Sequence, residues 1–100
     1  MLIVLAKAKL GDGALDAMRA PIAAMVAASN AEEGCIAYSF TTDVLDASVL
    51  HIVEKWQDEA ALMAHFATPH MAAFQHAIAG ADITITEALK YHADDGAPVI

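Results

Sequence analysis

Five histidines in 100 residues are the first feature with chemical content. Imidazole changes its charge near neutral pH and is the commonest protein ligand for metals. His65 stands out: it follows Leu62 by three positions and Ala61 by four in a helix-patterned stretch, which sets it beside an apolar stripe. A titratable ring facing an apolar interior suits proton transfer; the structural alternative is a packed histidine bonded to a backbone carbonyl. His70 falls in the first turn of the next helix, where the helix dipole disfavours a cation. It reads as the mouth of a pocket or as plain surface. Glu54 and Trp56 share a strand face with Leu50 and Ile52. A carboxylate on that face orients a pocket histidine, holds a proton, or pairs across strands with Lys90 or Lys55. Trp56 reads as core or pocket wall, and Tyr38 and Tyr91 as sheet packing or as phenol donors into a pocket. No metal centre is expected. Zinc needs three or four converging ligands, the Thr68-Pro69 break separates His65 from His70, and His70 and His76 face different sides. Gly-rich phosphate loops, Cys-x-x-Cys pairs and nucleophile-elbow serines are all missing from the sequence.

These residues need a scaffold, and the chain patterns one. A strand over 2–10 places Val4, Ala6, Ala8 and Leu10 on a wholly apolar face, opposite Ile3, Leu5, Lys7 and Lys9. Gly11-Asp12-Gly13 breaks it. The stripe Leu15, Met18, Ile22, Met25, Val26 predicts a helix over 14–29, with a kink or a fresh start at Pro21. A strand over 35–42 shows Ile36, Tyr38 and Phe40 on one face, a hairpin turn follows at 43–47, and a third strand spans 48–56. Asp58 caps a helix over 59–66, Thr68-Pro69 opens another over 69–79, and Gly80 ends it. The last strand, 82–92, alternates Ile83, Ile85, Glu87, Leu89 and Tyr91 against Thr84, Thr86, Ala88, Lys90 and His92. Residues 93–100 form an irregular tail after a single domain over 1–92. The order β-α-β-β-α(α)-β is that of a ferredoxin-like α+β fold, a four-stranded antiparallel sheet with helices on one face.

The bulk numbers limit the partners. With 58% hydrophobic residues and a mean hydropathy of +0.47, so small a domain needs a second apolar surface, an apolar cavity, or both. Sheet-against-sheet pairing of two copies supplies the first, because a two-fold interface needs only one self-complementary patch. Lys7, Lys9, Arg19, Lys55 and Lys90 are the only basic side chains, against a net charge of −8. Nucleic-acid and anionic-membrane binding are therefore not expected. The opening Met-Leu-Ile-Val-Leu-Ala run is too short to span a bilayer and lacks a basic leader. Cys35 is the single cysteine, which excludes an internal disulfide and leaves the cytoplasm as the expected compartment.

Two segments carry a resemblance to a known family. Glu32-Glu33-Gly34-Cys35-Ile36-Ala37-Tyr38-Ser39-Phe40 resembles the E-x-G-C-x-x-Y connector and strand of antibiotic biosynthesis monooxygenase (ABM) domains. The run Glu54 to Phe74 resembles their E-x-W-x-[DS]-x-x-A-L-x-x-H-x-x-[ST]-x-H segment. The resemblance implies a homodimer in which two sheets pack as a dimeric α+β barrel, each subunit holding a cavity between sheet and helices. It implies His65 as the pocket histidine, with Tyr38, Glu54, Trp56 and His70 around it. It also implies a cofactor-independent monooxygenase acting on a hydroquinone or related phenol, with a small aromatic substrate and dioxygen as partners and no cofactor. On this expectation His65 takes the phenolic proton. An isomerase or lyase moving protons in the same pocket, and a non-catalytic binding dimer, are the rivals. Haem-degrading relatives carry tryptophan at the position of His65 and a ligand histidine at that of Gln75, so haem degradation is not expected. A phosphosugar isomerase would need phosphate-binding cations, for which only Lys90 or Arg19 could serve.

Overall fold

The computed structural model describes residues 1–100. Its elements are β1 (Leu2–Leu10), α1 (Ala14–Asn30), β2 (Cys35–Thr42), β3 (Val49–Trp56), α2 (Glu59–Phe66), α3 (Pro69–Ala79) and β4 (Ile83–His92). The strands form one open antiparallel sheet in the order β2-β3-β1-β4, so the ferredoxin-like α+β arrangement is present. The helices cover a single face. Leu2, Tyr38 and Trp56 from the sheet pack with Met18, Met25, Leu62 and Phe74 from the helices, and Ala8, Leu10 and Leu50 pack with Ala14 at the opposite end. No helix is long and apolar enough to cross a membrane.

Local chemistry explains the helix starts. Asp58 accepts from the Ala61 backbone N–H at 2.8 Å, and Thr68 Oγ1 accepts from that of Met71 at 3.2 Å, each satisfying an otherwise orphaned donor. Gly13, at φ 75°, turns the chain into α1 without a side-chain cap. Gly80 follows α3 as expected, though at φ −94° rather than in a left-handed cap.

Three expectations need correction. First, of the two outcomes expected at Pro21, the fresh helix start is absent: α1 continues through the proline as one helix of 17 residues. Burial of Met18 and Met25 on either side (2% exposed each) offsets the hydrogen bond that proline cannot donate. Second, β2 bulges between Cys35 and Ala37. Cys35 stands opposite Trp56, while Ile36 is the extra residue and lies half exposed, off the face of Tyr38 and Phe40. Third, β4 does not alternate throughout. Its register against β1 shifts so that Lys7 faces Glu87 while Ala8 faces Ile85. The extra residue, Thr86, moves Ile83 and Ile85 to the face of Ala8 and Leu10, and moves Leu89 and Tyr91 to the uncovered face of Leu5 and Ile3. Tyr91 is therefore on the outer face, and is not a pocket donor.

Candidate functional site

A cavity of about 350 Å³ lies between the inner sheet face and helices α2 and α3. Small side chains create it. Ala6 stands between Ile52 and Ala88 across neighbouring strands, so little side-chain volume rises from the middle of the sheet. The helices close over this gap with Leu62, Phe66, Met71, Phe74 and Ile78. Tyr38, Glu54 and Gln75 are the polar exceptions in the wall. Glu54 faces inward because it alternates with Ile52 and Trp56 along β3, and its Oε1 accepts from the Trp56 indole N–H at 3.0 Å. Burial pushes its carboxyl above the ordinary range, partly opposed by that hydrogen bond and by the nearby His65. Burial likewise pushes the Tyr38 phenol well above its usual range, and the Glu54 charge adds to the effect. The lysine pairing considered for Glu54 does not form: Lys90 pairs with Glu59 on α2 instead.

His65 is not in the cavity wall. Its ring is 1% exposed and is packed against Trp56, centroid to centroid 4.6 Å, with Tyr38 at 5.5 Å. Trp56 is fully buried and touches both groups, one through its ring and one through its N–H. The structure thus brings Tyr38, Glu54, Trp56 and His65 together, with Tyr38 and Glu54 at the cavity and Trp56 and His65 behind them.

Behind Trp56 is a second polar constellation. His65 Nδ1 lies 2.6 Å from Glu32 Oε2, and His70 Nε2 lies 2.9 Å from the same oxygen. A carboxylate offers only acceptors, so both rings present N–H to it. The break at Thr68-Pro69 does not separate the two histidines, as the sequence led us to expect; it folds them toward each other, with ring centroids 5.8 Å apart. The Thr68 hydroxyl donates to the His65 backbone oxygen at 2.7 Å and also caps α3, so one side chain ties the end of α2 to the start of α3. The three donor atoms of Glu32, His65 and His70 all lie within 4.8 Å of one another, the distances of a possible metal ligand set.

Sequence reasoning missed Glu32 and Gln75 as site residues. Glu32 had a signal, since it opens the connector motif, and the structure explains that motif. A methyl group on Gly34 would collide with the Ala61 side chain of α2, so glycine lets the connector lie against α2 and deliver Glu32 to His65. The Gly34 carbonyl then accepts from the Gln57 N–H at 2.9 Å, and Cys35 packs into the core beside Trp56.

Comparison with known proteins agrees with this architecture. Residues 1–77 match the sequence profile of the family Antibiotic biosynthesis monooxygenase. The protein PA3566 of Pseudomonas aeruginosa is 30% identical, with a TM-score of 0.76, over 92% of this chain and 94% of its own. A Deinococcus radiodurans protein named for the same family superposes with a TM-score of 0.90 over 100% of this chain and 99% of its own; at 20% identity it speaks for the fold alone. Rv0793 of Mycobacterium tuberculosis, 24% identical, superposes at 0.81 over 96% and 97%. No curated protein matches the chain. With its profile match covering most of the sequence and its fold shared from end to end, the chain belongs to the antibiotic biosynthesis monooxygenase family.

Proposed function

We propose that the protein is a cofactor-independent monooxygenase that oxidises a hydroquinone or related phenol in the cavity between sheet and helices. One observation carries the reading: an apolar hollow of about 350 Å³ with a carboxylate of raised pKa, Glu54, in its wall. A flat aromatic fits such a space and displaces its water, which strengthens every polar interaction inside. Glu54 accepts the phenolic proton, the Tyr38 side chain forms the wall beside it, and the electron-rich anion passes one electron to dioxygen. The two radicals recombine to a peroxide. The peroxide forms at a ring carbon that bears hydrogen, on a phenol or a hydroquinone alike; loss of water then leaves one oxygen atom as a new carbonyl, and the second oxygen departs in that water. His65 was expected to take the proton itself. From behind Trp56 its role is positional: it packs the indole whose N–H holds Glu54.

A second copy is part of this proposal. Leu5, Leu89 and Tyr91 are each close to half exposed on the uncovered sheet face, and a sheet-to-sheet homodimer buries them. Sedimentation equilibrium at micromolar concentration should give twice the chain mass.

The test is oxygen uptake by purified protein with a naphthohydroquinone. Consumption should exceed the spontaneous rate, and Glu54→Gln should lower kcat by about 10²-fold or more, the usual share of a general base. Uptake at the spontaneous rate overturns the oxidative reading. Turnover that survives strict anaerobiosis assigns the pocket to isomerase or lyase chemistry. Ligand-induced stabilisation without turnover leaves a binding dimer.

A further inference from the structure

We propose that Glu32, His65 and His70 bind a divalent transition-metal ion of the zinc type. Three segments distant in sequence converge here: the connector after α1, the last turn of α2 and the first turn of α3. They bring Oε2, Nδ1 and Nε2 to within 4.8 Å of one another. Both imidazole nitrogens lie against one carboxylate oxygen, and all three atoms bear lone pairs for a metal once each ring carries its proton on the opposite nitrogen. Two imidazoles and one carboxylate form a borderline donor set. It suits Zn²⁺, Co²⁺ or Fe²⁺, and not Ca²⁺ or Mg²⁺, which take oxygen ligands almost exclusively.

The expansion required is small. Ligand atoms around a tetrahedral zinc stand about 3.3 Å apart, against the present separations of 2.6 and 2.9 Å. His65 is the rigid member: it is packed on Trp56, and its backbone carbonyl is held by Thr68. The other two can adjust, with side chains 15% exposed for Glu32 and 24% for His70. That graded exposure leaves the outer side open, so the fourth position falls to water or an external ligand, as in metal sites that keep an exchangeable place. An apolar slot of about 270 Å³ between α1 and α3, lined by Pro21, Met25 and Phe74, reaches His70 and supplies a route for that ligand. The other histidine–carboxylate pair, His51 with Asp43 at 2.8 Å, has no third donor and serves as an internal control.

The inference does not depend on the oxidation reading, and its test does not use turnover. Untagged full-length protein, stripped with a chelator and dialysed, is titrated with zinc chloride in a calorimeter and separately with cobalt chloride in a spectrophotometer. The expected result is saturable binding of one ion per chain, the intense visible bands of low-coordinate cobalt, and a Tm that rises with zinc concentration. Glu32→Gln and His70→Ala should each weaken binding at least about tenfold, with far-UV circular dichroism confirming the fold, while His51→Ala should bind as wild type does. Lack of saturable binding, or binding that Glu32→Gln and His70→Ala leave unchanged, overturns the assignment.

Discussion

Along the inner sheet face, one end is packed solid and the middle is hollow, although the same strands build both. At the end, Leu2 and Cys35 flank Trp56 on neighbouring strands. Leu2 and Trp56 are fully buried, and Met25 and His65 above them are nearly so. Four residues further along, Ala6 and Ala88 stand side by side, and the space their side chains leave is the cavity. Beneath the helices the side chains differ in volume, leucine and tryptophan at the end and alanines in the middle. Glu54 sits on the border, with its carboxylate at the cavity and a hydrogen bond back to the packed end. The packed end thus serves as the rigid backing of a reactive group, and the hollow as its workspace.

Removing the backing should have the largest effect. Trp56→Ala deletes the biggest fully buried side chain and leaves Glu54 and His65 without their shared neighbour. A buried aromatic truncated to alanine typically costs about 3–5 kcal/mol, a large part of the stability of so small a domain. Urea unfolding should show that loss. Trp56→Phe should recover much of the stability but not the hydrogen bond to Glu54, so kcat should stay depressed. Equal recovery of both would mean that the indole N–H does nothing for Glu54.

The contrast itself is tested by enlarging one alanine in each region. Ala8 is 1% exposed among Leu10, Ala14 and Leu50, and Ala8→Leu should destabilise by about 1–3 kcal/mol through overpacking. Ala88 lines the cavity and is open to solvent. Ala88→Leu should move stability by roughly 0.5 kcal/mol or less, while lowering the affinity for any aromatic that stabilises the wild type in a thermal-shift assay. Similar costs at the two alanines would mean that the middle is not hollow.

The sequence made the fold legible because its signals were local. Asp58 and Thr68 announce the α2 and α3 starts, and the strand alternations place Tyr38, Leu50, Ile52, Glu54 and Trp56 on the inner face. Alternation fails at Ile36 and Thr86, because a bulge inserts one residue and leaves no compositional mark. The site was legible as a neighbourhood and not as a geometry. His65, Glu54, Trp56 and Tyr38 do meet, but which of them faces the cavity depends on side-chain packing over sequence separations of ten to thirty residues. The pairing of His65 and His70 on Glu32 rests on a close approach that Gly34 permits, a tertiary event. A proline between two histidines, read as a spacer, is a corner that brings them together.

The smallest expected effect concerns the border residue and its charge. Burial raises the Glu54 pKa above the 4.5 of an unfolded glutamate, so the folded protein holds this proton more tightly than the unfolded one does. Where the native state binds more protons, stability falls as pH rises. The neutral acid's contribution is fully present below about pH 4.5 and is lost as pH climbs through the raised folded value. Glu54→Gln keeps a neutral group and an acceptor for the Trp56 N–H at every pH. Its stability, measured by urea unfolding beside the wild type, should match the wild type near pH 4 and exceed it near pH 7, with the gap opening between. The other titrating groups are common to both proteins, so the difference reports Glu54 together with its coupling to His65, Glu32 and Tyr38. A wild type that instead gains on the variant as pH rises would show that the indole N–H and the neighbouring imidazole outweigh burial and hold Glu54 as a stabilised anion. The hollow would then present a fixed charge to its ligand rather than a base of raised pKa.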